Sequence, residues 1–312
     1  MRQDEESRLK ENTIEAIRKM IPEDRISLNE KMAGHTTFRV GGPADCFITV
    51  NDIEELSGCL SVIRDQKEEY FLIGNGSNLL VGDKGYRGIV LKLSGEFEDI
   101  EAEGTYIEAG AGALLSKTAM KAYEASLSGL EFASGIPGSI GGAIVMNAGA
   151  YGGEMKDVVR EVTLFDPVSH SVVKKKADEM AFGYRDSIIK HSELIVLKAC
   201  FELKKDDRDK IKALMDDLTE RRITKQPLNY PSAGSTFKRP EGYFAGKLID
   251  DSGLRGYRVG GAMISDKHCG FVINKSEATA LDIITLIKDV QTAVMDKQGV
   301  AIEPEVLMIG EF

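Results

Sequence analysis

Most of the short signatures that identify a catalytic chain are missing from this one. It has no G-x-S-x-G elbow, no H-E-x-x-H, no C-x-x-C pair and no cluster of Cys and His. Their absence argues against a serine hydrolase, a zinc centre and disulfide exchange, and no metal site is expected. Cys46, Cys59, Cys200 and Cys269 are far apart and read as reduced, mostly buried thiols of a cytosolic protein. Positive charge is also short: the formal net charge is −10. That balance excludes nucleic acid or an anionic membrane surface as the main partner, yet local cations and backbone N–H groups can still hold a small anion. Met1–Glu6 lacks the apolar core of a secretory signal, so a cytoplasmic location is expected. One stretch, residues 132–153, carries no charge and is long enough to span a bilayer. Its seven glycines and Pro137 make it a poor helix, so it reads as buried loop and turn rather than membrane.

What the chain does have is glycine, 32 residues among 312, concentrated in a few uncharged runs. Hydrophobic residues at 42% and charged residues at 29% fit a folded protein of two or three packed units. Leu9, Ile14, Ile17 and Ile21 predict an N-terminal helical segment within residues 1–30, closed by Pro22. Short β-like runs follow at 46–50, 70–73, 88–93, 105–109, 158–165, 171–174 and 194–201. Helices are expected near 52–66 and 113–126. Without a regular βαβ period, this mixture predicts an α+β fold. The charge run at 204–210 suggests a boundary, followed by a helix with Ile211, Leu214, Met215 and Leu218 on one face. A second helix is expected at 279–296 (Leu281, Ile284, Ile287, Val290, Val294), before a short final strand.

Several segments could carry chemistry. Gly74-Asn75-Gly76-Ser77-Asn78-Leu79 follows an apolar run, and spacing alone leaves it open between a tight turn and a phosphate loop. It is not a Rossmann fingerprint, because Leu79 stands where the third glycine is required, and no Walker loop is present either. Arg39 before Gly41-Gly42-Pro43 reads as a strand-edge bulge or a cofactor contact. The Gly135–Gly153 stretch could pack small residues against a large flat ligand or form a turn-rich core. Tyr184-Arg185, Ser235 in Gly234-Ser235-Thr236, and Glu305 in Glu303-Pro304-Glu305 are polar residues in stiff settings. A serine that can give a proton, an arginine and a carboxylate suit a negative intermediate beside a redox cofactor.

Taken in order, His35–Asp45, Gly74–Leu80, Ser134–Gly152, Tyr184–Ser187, Ser232–Phe237 and Glu303–Val306 resemble the UDP-N-acetylenolpyruvoylglucosamine reductase family over nearly the whole chain. The resemblance implies an FAD-binding fold of the vanillyl-alcohol-oxidase (PCMH-like) type with a C-terminal α+β substrate-binding domain. It divides the chain into a flavin region at 31–205 (subdomains 31–95 and 96–205), a substrate domain at 206–301, and a strand at 302–312 returning to the active site. Implied FAD contacts are Arg39, Gly41, Gly42, Gly74, Asn75, Gly76, Ser77, Asn78, Leu79, Ser134, Gly135, Pro137, Gly138, Ser139, Gly141, Gly142, Asn147, Ala148 and Gly149. NADPH is the implied reductant, delivering hydride to the flavin, which returns it to the vinyl methylene of the UDP-sugar enolpyruvyl ether. Arg185 and Glu305 would stabilise the enolate-like species and Ser235 would protonate carbon 2. Tyr184, Lys238, Arg239, Lys247 and His268 would bind the substrate, Lys247 through a pyrophosphate that both ligands carry. The run from Ser187 straight into the strand at 194–201 lacks the inserted tyrosine loop of longer members, and Arg239 stands where some members carry asparagine. A monomer is expected. Two other readings remain: another flavin oxidoreductase of the same superfamily, and a nucleotide-sugar binding protein without chemistry.

Overall fold

The computed structural model describes residues 9–312. Strands β1 (Ile26–Lys31), β2 (Pro43–Val50), β3 (Tyr70–Ile73), β4 (Leu79–Val81) and β5 (Tyr86–Leu93) follow the short helix α1 (Glu11–Ile17). Four of the five form a sheet in the order β1-β2-β5-β3, with β1 antiparallel to β2 and the other two pairs parallel. The helix α2 (Ile53–Gln66) connects β2 to β3, which run parallel on either side of β5. Asp52 starts α2 by accepting the Glu55 N–H at 2.8 Å, and Leu56, Cys59, Leu60 and Ile63 bury one stripe of it.

The expected N-terminal helical segment is much shorter than 1–30. The helix ends at Ile17, ahead of Pro22, and Ile26–Lys31 has a strand partner in β2 and becomes the sheet edge. Residues 1–8 of that expectation lie outside the described residues.

A second sheet is antiparallel throughout, in the order Ser171–Lys176, Val159–Asp166, Ile195–Glu202, β7 (Tyr106–Gly110) and β6 (Ile100–Glu103). Helices α3 (Leu115–Glu124) and α4 (Ile140–Val145) share with both sheets one apolar core that includes Leu91, Ile107, Ile144, Phe165 and Phe201. The uncharged stretch is therefore buried loop and turn, as its glycines imply, with six helical residues started by Ser139 accepting the Gly142 N–H at 3.3 Å. Among the described residues no helix is long and apolar enough to cross a membrane.

The charge run at 204–210 leads into α5 (Arg208–Lys225), which packs on α3 and the turn Glu131–Ala133 rather than on the C-terminal unit. Ile211, Met215 and Leu218 are buried there, while Leu214 of the expected face is exposed. The second core gathers α6 (Ala245–Asp251), α7 (Ala280–Gln298), and the antiparallel strands Ala262–Ile264 and Val272–Asn274. It borrows Phe38, Val40 and Leu80 from the first unit. On α7 the buried stripe is Ala280, Ile283, Ile287, Val290 and Val294; Leu281 sits about a quarter-turn away and is exposed. Asp83 anchors the start of this helix to the flavin-side unit, accepting the N–H groups of Ala280 at 2.7 Å and Leu281 at 2.9 Å.

The C-terminal segment then crosses back. Leu307–Ile309 pairs in parallel with β4, the Glu305 N–H donates to the Thr236 carbonyl at 2.7 Å, and the Asn78 carbonyl accepts Leu307 N–H at 3.0 Å. Thr236 has no exposed surface; its N–H donates to Gly270 O at 2.8 Å and its hydroxyl accepts Val272 N–H at 3.0 Å. A Thr236→Val substitution keeps the shape but leaves the Val272 N–H unpaired. It should lower unfolding free energy by about 1–3 kcal/mol in urea titration; an unchanged midpoint would mean that the bond contributes nothing.

Candidate active site

Two clefts flank one strap of chain, residues 228–239. The first, about 510 Å³, is walled by Arg39, Gly74, Asn75 and Pro137 from the expected set, with His35, Lys92 and the strap residues Tyr230–Ser232 added. Its volume falls in the range of small-molecule sites. The glycines are dictated by close approach. A Cβ on Gly76 would lie 2.0 Å from His35 O, and one on Gly74 would lie 2.4 Å from Ser139 Oγ. The 74–78 loop is thus pressed between the 35–39 turn and the start of α4, and the Thr37 N–H donates to Gly76 O at 3.1 Å. Asn75 ties the loop across the cleft by donating to Pro137 O at 2.7 Å. Arg39, held at φ +55°, and Lys92, at the end of β5, have no ion-pair partner among the described residues. Two uncompensated cations beside backbone-exposing glycines fit the diphosphate of a dinucleotide such as FAD.

Other members of the expected cofactor set do structural work around this wall. Gly41 and Gly42 pack against Val81 and Asp83, and Gly42 donates to Gly82 O at 2.9 Å. Leu79 is a buried β4 residue, and Asn78 donates to Glu305 O at 3.2 Å. Gly138 accepts the Leu115 N–H at 3.0 Å, and Ser77 lies beside it; Gly141 donates to Ala111 O at 2.8 Å. Ser134 donates to Glu131 O at 2.8 Å, and the Gly135 carbonyl accepts from half-buried Arg222 at 2.6 Å. Ser139 and Gly142 cap α4, Ala148 donates to Ala143 O at 2.8 Å, and Gly149 packs on Gly153 and Glu154.

Asn147 is the most informative case. It is buried at φ +41°, and its amide donates to Gly183 O and Glu154 Oε2, each at 2.9 Å, while its oxygen accepts the Lys156 N–H at 3.0 Å. Every polar atom of the side chain is used internally. Its side chain therefore holds the turn that carries Tyr184 and Arg185, with both amide protons spent and one lone pair of the oxygen left over.

The second cleft, about 500 Å³, brings together residues far apart in sequence: Tyr184 and Arg185, Ser235, Arg239, Lys247, His268 and Glu305. Arg185 is another left-handed residue (φ +55°), and its Nε donates to Glu305 Oε1 at 2.6 Å with both side chains largely buried. Its terminal nitrogens have no partner among the described residues and remain available to a second carboxylate. The Ser235 hydroxyl makes only a long 3.3 Å bond to Phe237 O. It meets the His268 ring over Gly270, where a Cβ would lie 3.4 Å from Ser235 Oγ and 3.0 Å from the imidazole. Burial pushes the His268 pKa down, and its Nδ1 accepts the Gly270 N–H at 3.1 Å. The neutral ring therefore carries its proton on Nε2, as a donor. Cys269 also lines the cleft, but burial pushes its thiol up to about 11, so it stays protonated and is no nucleophile.

Two expected substrate residues sit less centrally. Lys238 is exposed and paired with Glu303 at 2.9 Å, outside the cleft lining. Lys247 lines the cleft but rests on Asp251 at 2.8 Å, one helical turn on. Residues the motifs did not announce include Lys92 and Tyr230 at the first cleft and Phe244, Arg255 and Lys267 at the second. Phe244, in Gly242-Tyr243-Phe244, was signalled only by two adjacent aromatics after a glycine.

Comparison with known proteins matches this architecture. Residues 44–172 fit an FAD binding domain family and residues 226–309 fit the UDP-N-acetylenolpyruvoylglucosamine reductase C-terminal domain. The UDP-N-acetylenolpyruvoylglucosamine reductase of Agathobacter rectalis is 51% identical, covering 96% of this chain and 98% of the relative. That of Clostridioides difficile is 50% identical over 94% of this chain and 96% of the relative. The crystal structure of the Thermus caldophilus reductase superposes with a TM-score of 0.79 at 36% identity, covering 91% of this chain and 98% of that one. With matches of that depth along both units, the chain belongs to the UDP-N-acetylenolpyruvoylglucosamine reductase family.

Proposed function

We propose that this protein is an FAD-dependent oxidoreductase that uses NADPH to reduce UDP-N-acetylglucosamine enolpyruvyl ether to UDP-N-acetylmuramate in peptidoglycan synthesis. The observation that carries the reading is the meeting of Ser235, Arg185 and Glu305 in one cleft, from three segments separated by up to 120 residues. The first cleft, with Arg39, Lys92 and the glycine loop, would hold FAD. Bound flavin supplies the two-electron chemistry, hydride taken from NADPH and passed to the vinyl methylene carbon.

The chain's own residues then handle charge and protons. Reduction leaves negative charge on carbon 2 and its carboxylate. Arg185 receives that carboxylate through its free terminal nitrogens, while Glu305 fixes the guanidinium plane from the Nε side. Ser235, loosely held, turns its hydroxyl to carbon 2 and gives the proton; an alcohol is a weak acid in water but sufficient for a carbanion held against it. His268 offers a neutral N–H donor, and Lys247, Arg239, Arg255 and Lys267 ring the cleft where a diphosphate would lie. Lys238 acts by fixing the 238–240 turn to Glu303. The acidic balance supports a protein with no nucleic-acid partner, and a cytoplasmic monomer is the expected form.

An anaerobic absorbance spectrum tests the whole reading. A flavin band should bleach with NADPH and recover only when the enolpyruvyl UDP-sugar is added; no flavin band after incubation with FAD would refute it. Within that assay, Ser235→Ala should leave bleaching intact and slow recovery by about 10²–10⁴-fold in stopped flow, the usual range for a lost general acid. Lys247→Ala should raise the KM for NADPH and for the UDP-sugar together, severalfold. Equal KM values for variant and wild type would remove Lys247 from the anchor.

A further inference from the structure

The mouth of the second cleft carries a large apolar ring that the mechanism leaves unused. Phe244, immediately before α6, is 61% exposed although it lines the cleft. Ser235, at the reacting end, is half-buried, so Phe244 marks the open end. One face of its ring is already covered: the Arg239 guanidinium carbon lies 4.0 Å from the ring centroid. Arg239 is itself held twice, its Nε donating to Tyr243 O at 3.2 Å and its backbone N–H to the Tyr184 hydroxyl at 3.0 Å. Tyr184 in turn lies under the Arg185 guanidinium, 5.5 Å from ring centroid to carbon. Two cation–π pairs, joined by that hydrogen bond, thus link the cleft mouth to the arginine at the reacting end.

A ring backed by a fixed guanidinium is pre-ordered, and its free surface suits a flat π-system more than an aliphatic chain. If the enolpyruvyl group must reach Ser235, the nucleotide end of the same ligand must lie toward the open end, and its only flat group is the base. Building on the function proposed above, we propose that Phe244, backed by Arg239, is the stacking platform for the uracil ring of the UDP-sugar. The cations around the cleft would take the diphosphate, and the ring would supply recognition of the base. Base–aromatic stacking changes affinity by about tenfold or more.

The test is titration of the FAD-loaded protein with UDP, followed through the flavin absorbance and by calorimetry. Phe244→Tyr should bind UDP within about threefold of wild type, whereas Phe244→Ala and Phe244→Leu, the latter keeping the apolar bulk, should bind about tenfold or more weakly. Flavin content and melting temperature, measured on each variant, identify any loss of folding. A leucine variant that binds as wild type does, or a tyrosine variant as weak as alanine, would overturn the platform while leaving the reductase reading intact. Wild-type protein that binds no UDP by calorimetry would overturn that reading and the platform with it.

Discussion

The bond between Arg185 and Glu305 is where the two units of the molecule meet their chemistry. Arg185 rises from the turn after the second sheet's hairpin, and Glu305 arrives on a segment that has passed through the whole C-terminal unit. Removing two charges from water is costly, and attraction in a partly buried place offsets that cost only with good geometry. The surrounding bonds supply the geometry. Glu305 is held by its backbone to Thr236 and Asn78, and Arg185 sits on a turn pinned by the spent amide of Asn147. Each partner is thus fixed by residues that never reach the cleft, and the pair remains a pair while a third charge enters.

Of the ten non-glycine residues at positive φ among the described residues, three lie at or behind the clefts. Arg39, Asn147 and Arg185 all hold positive φ without being glycine, at about 1–3 kcal/mol each for such conformations. One lies at the dinucleotide cleft, one behind the substrate cleft and one inside it. Glycine at any of these places would relax the backbone and remove the side chain that the site uses. The glycines proper serve another purpose, since at 74 and 76 they let three segments touch where any Cβ would collide.

How much of this was legible in the sequence depends on the range of the interaction involved. The helix from 53 to 66, the strands of both sheets other than Ile26–Lys31 and Ile100–Glu103, and the motif pairs Gly74-Asn75 and Tyr184-Arg185 are local patterns, and period or turn chemistry reveals them. Ile26–Lys31 shows no strong alternation, and only pairing with β2 makes it a strand. Leu281 fits helical spacing as well as Ala280 does, and the tertiary side of α7 alone decides that the alanine is inside. Asn147 lies in a glycine-rich run that suggests ligand contact, but its partners Gly183, Glu154 and Lys156 are set by the fold. Lys92 and Arg255 are ordinary surface letters in sequence, and become site residues only when strand register and the α6 turn bring them to a cleft.

The strap from 228 to 239 explains how two clefts can act as one site. Tyr230, Pro231 and Ser232 form part of the dinucleotide wall, and five residues later Phe237 belongs to the substrate wall, with Ser235 between. Ser232 bridges to Ile273 and Phe237 to Pro304, so the strap is stitched to the C-terminal core at both ends. Its only charge-bearing fastening on the cofactor side, among the described residues, is Lys275 donating to the Tyr230 hydroxyl. A segment this short, bonded at both ends, cannot shift one wall without shifting the other. The position of Ser235, the proposed proton donor, relative to the proposed cofactor cleft is therefore set by the strap, and the C-terminal unit carries the strap and much of the second cleft's lining together. That coupling would align the two proposed ligands, both anionic, without a separate hinge between the clefts.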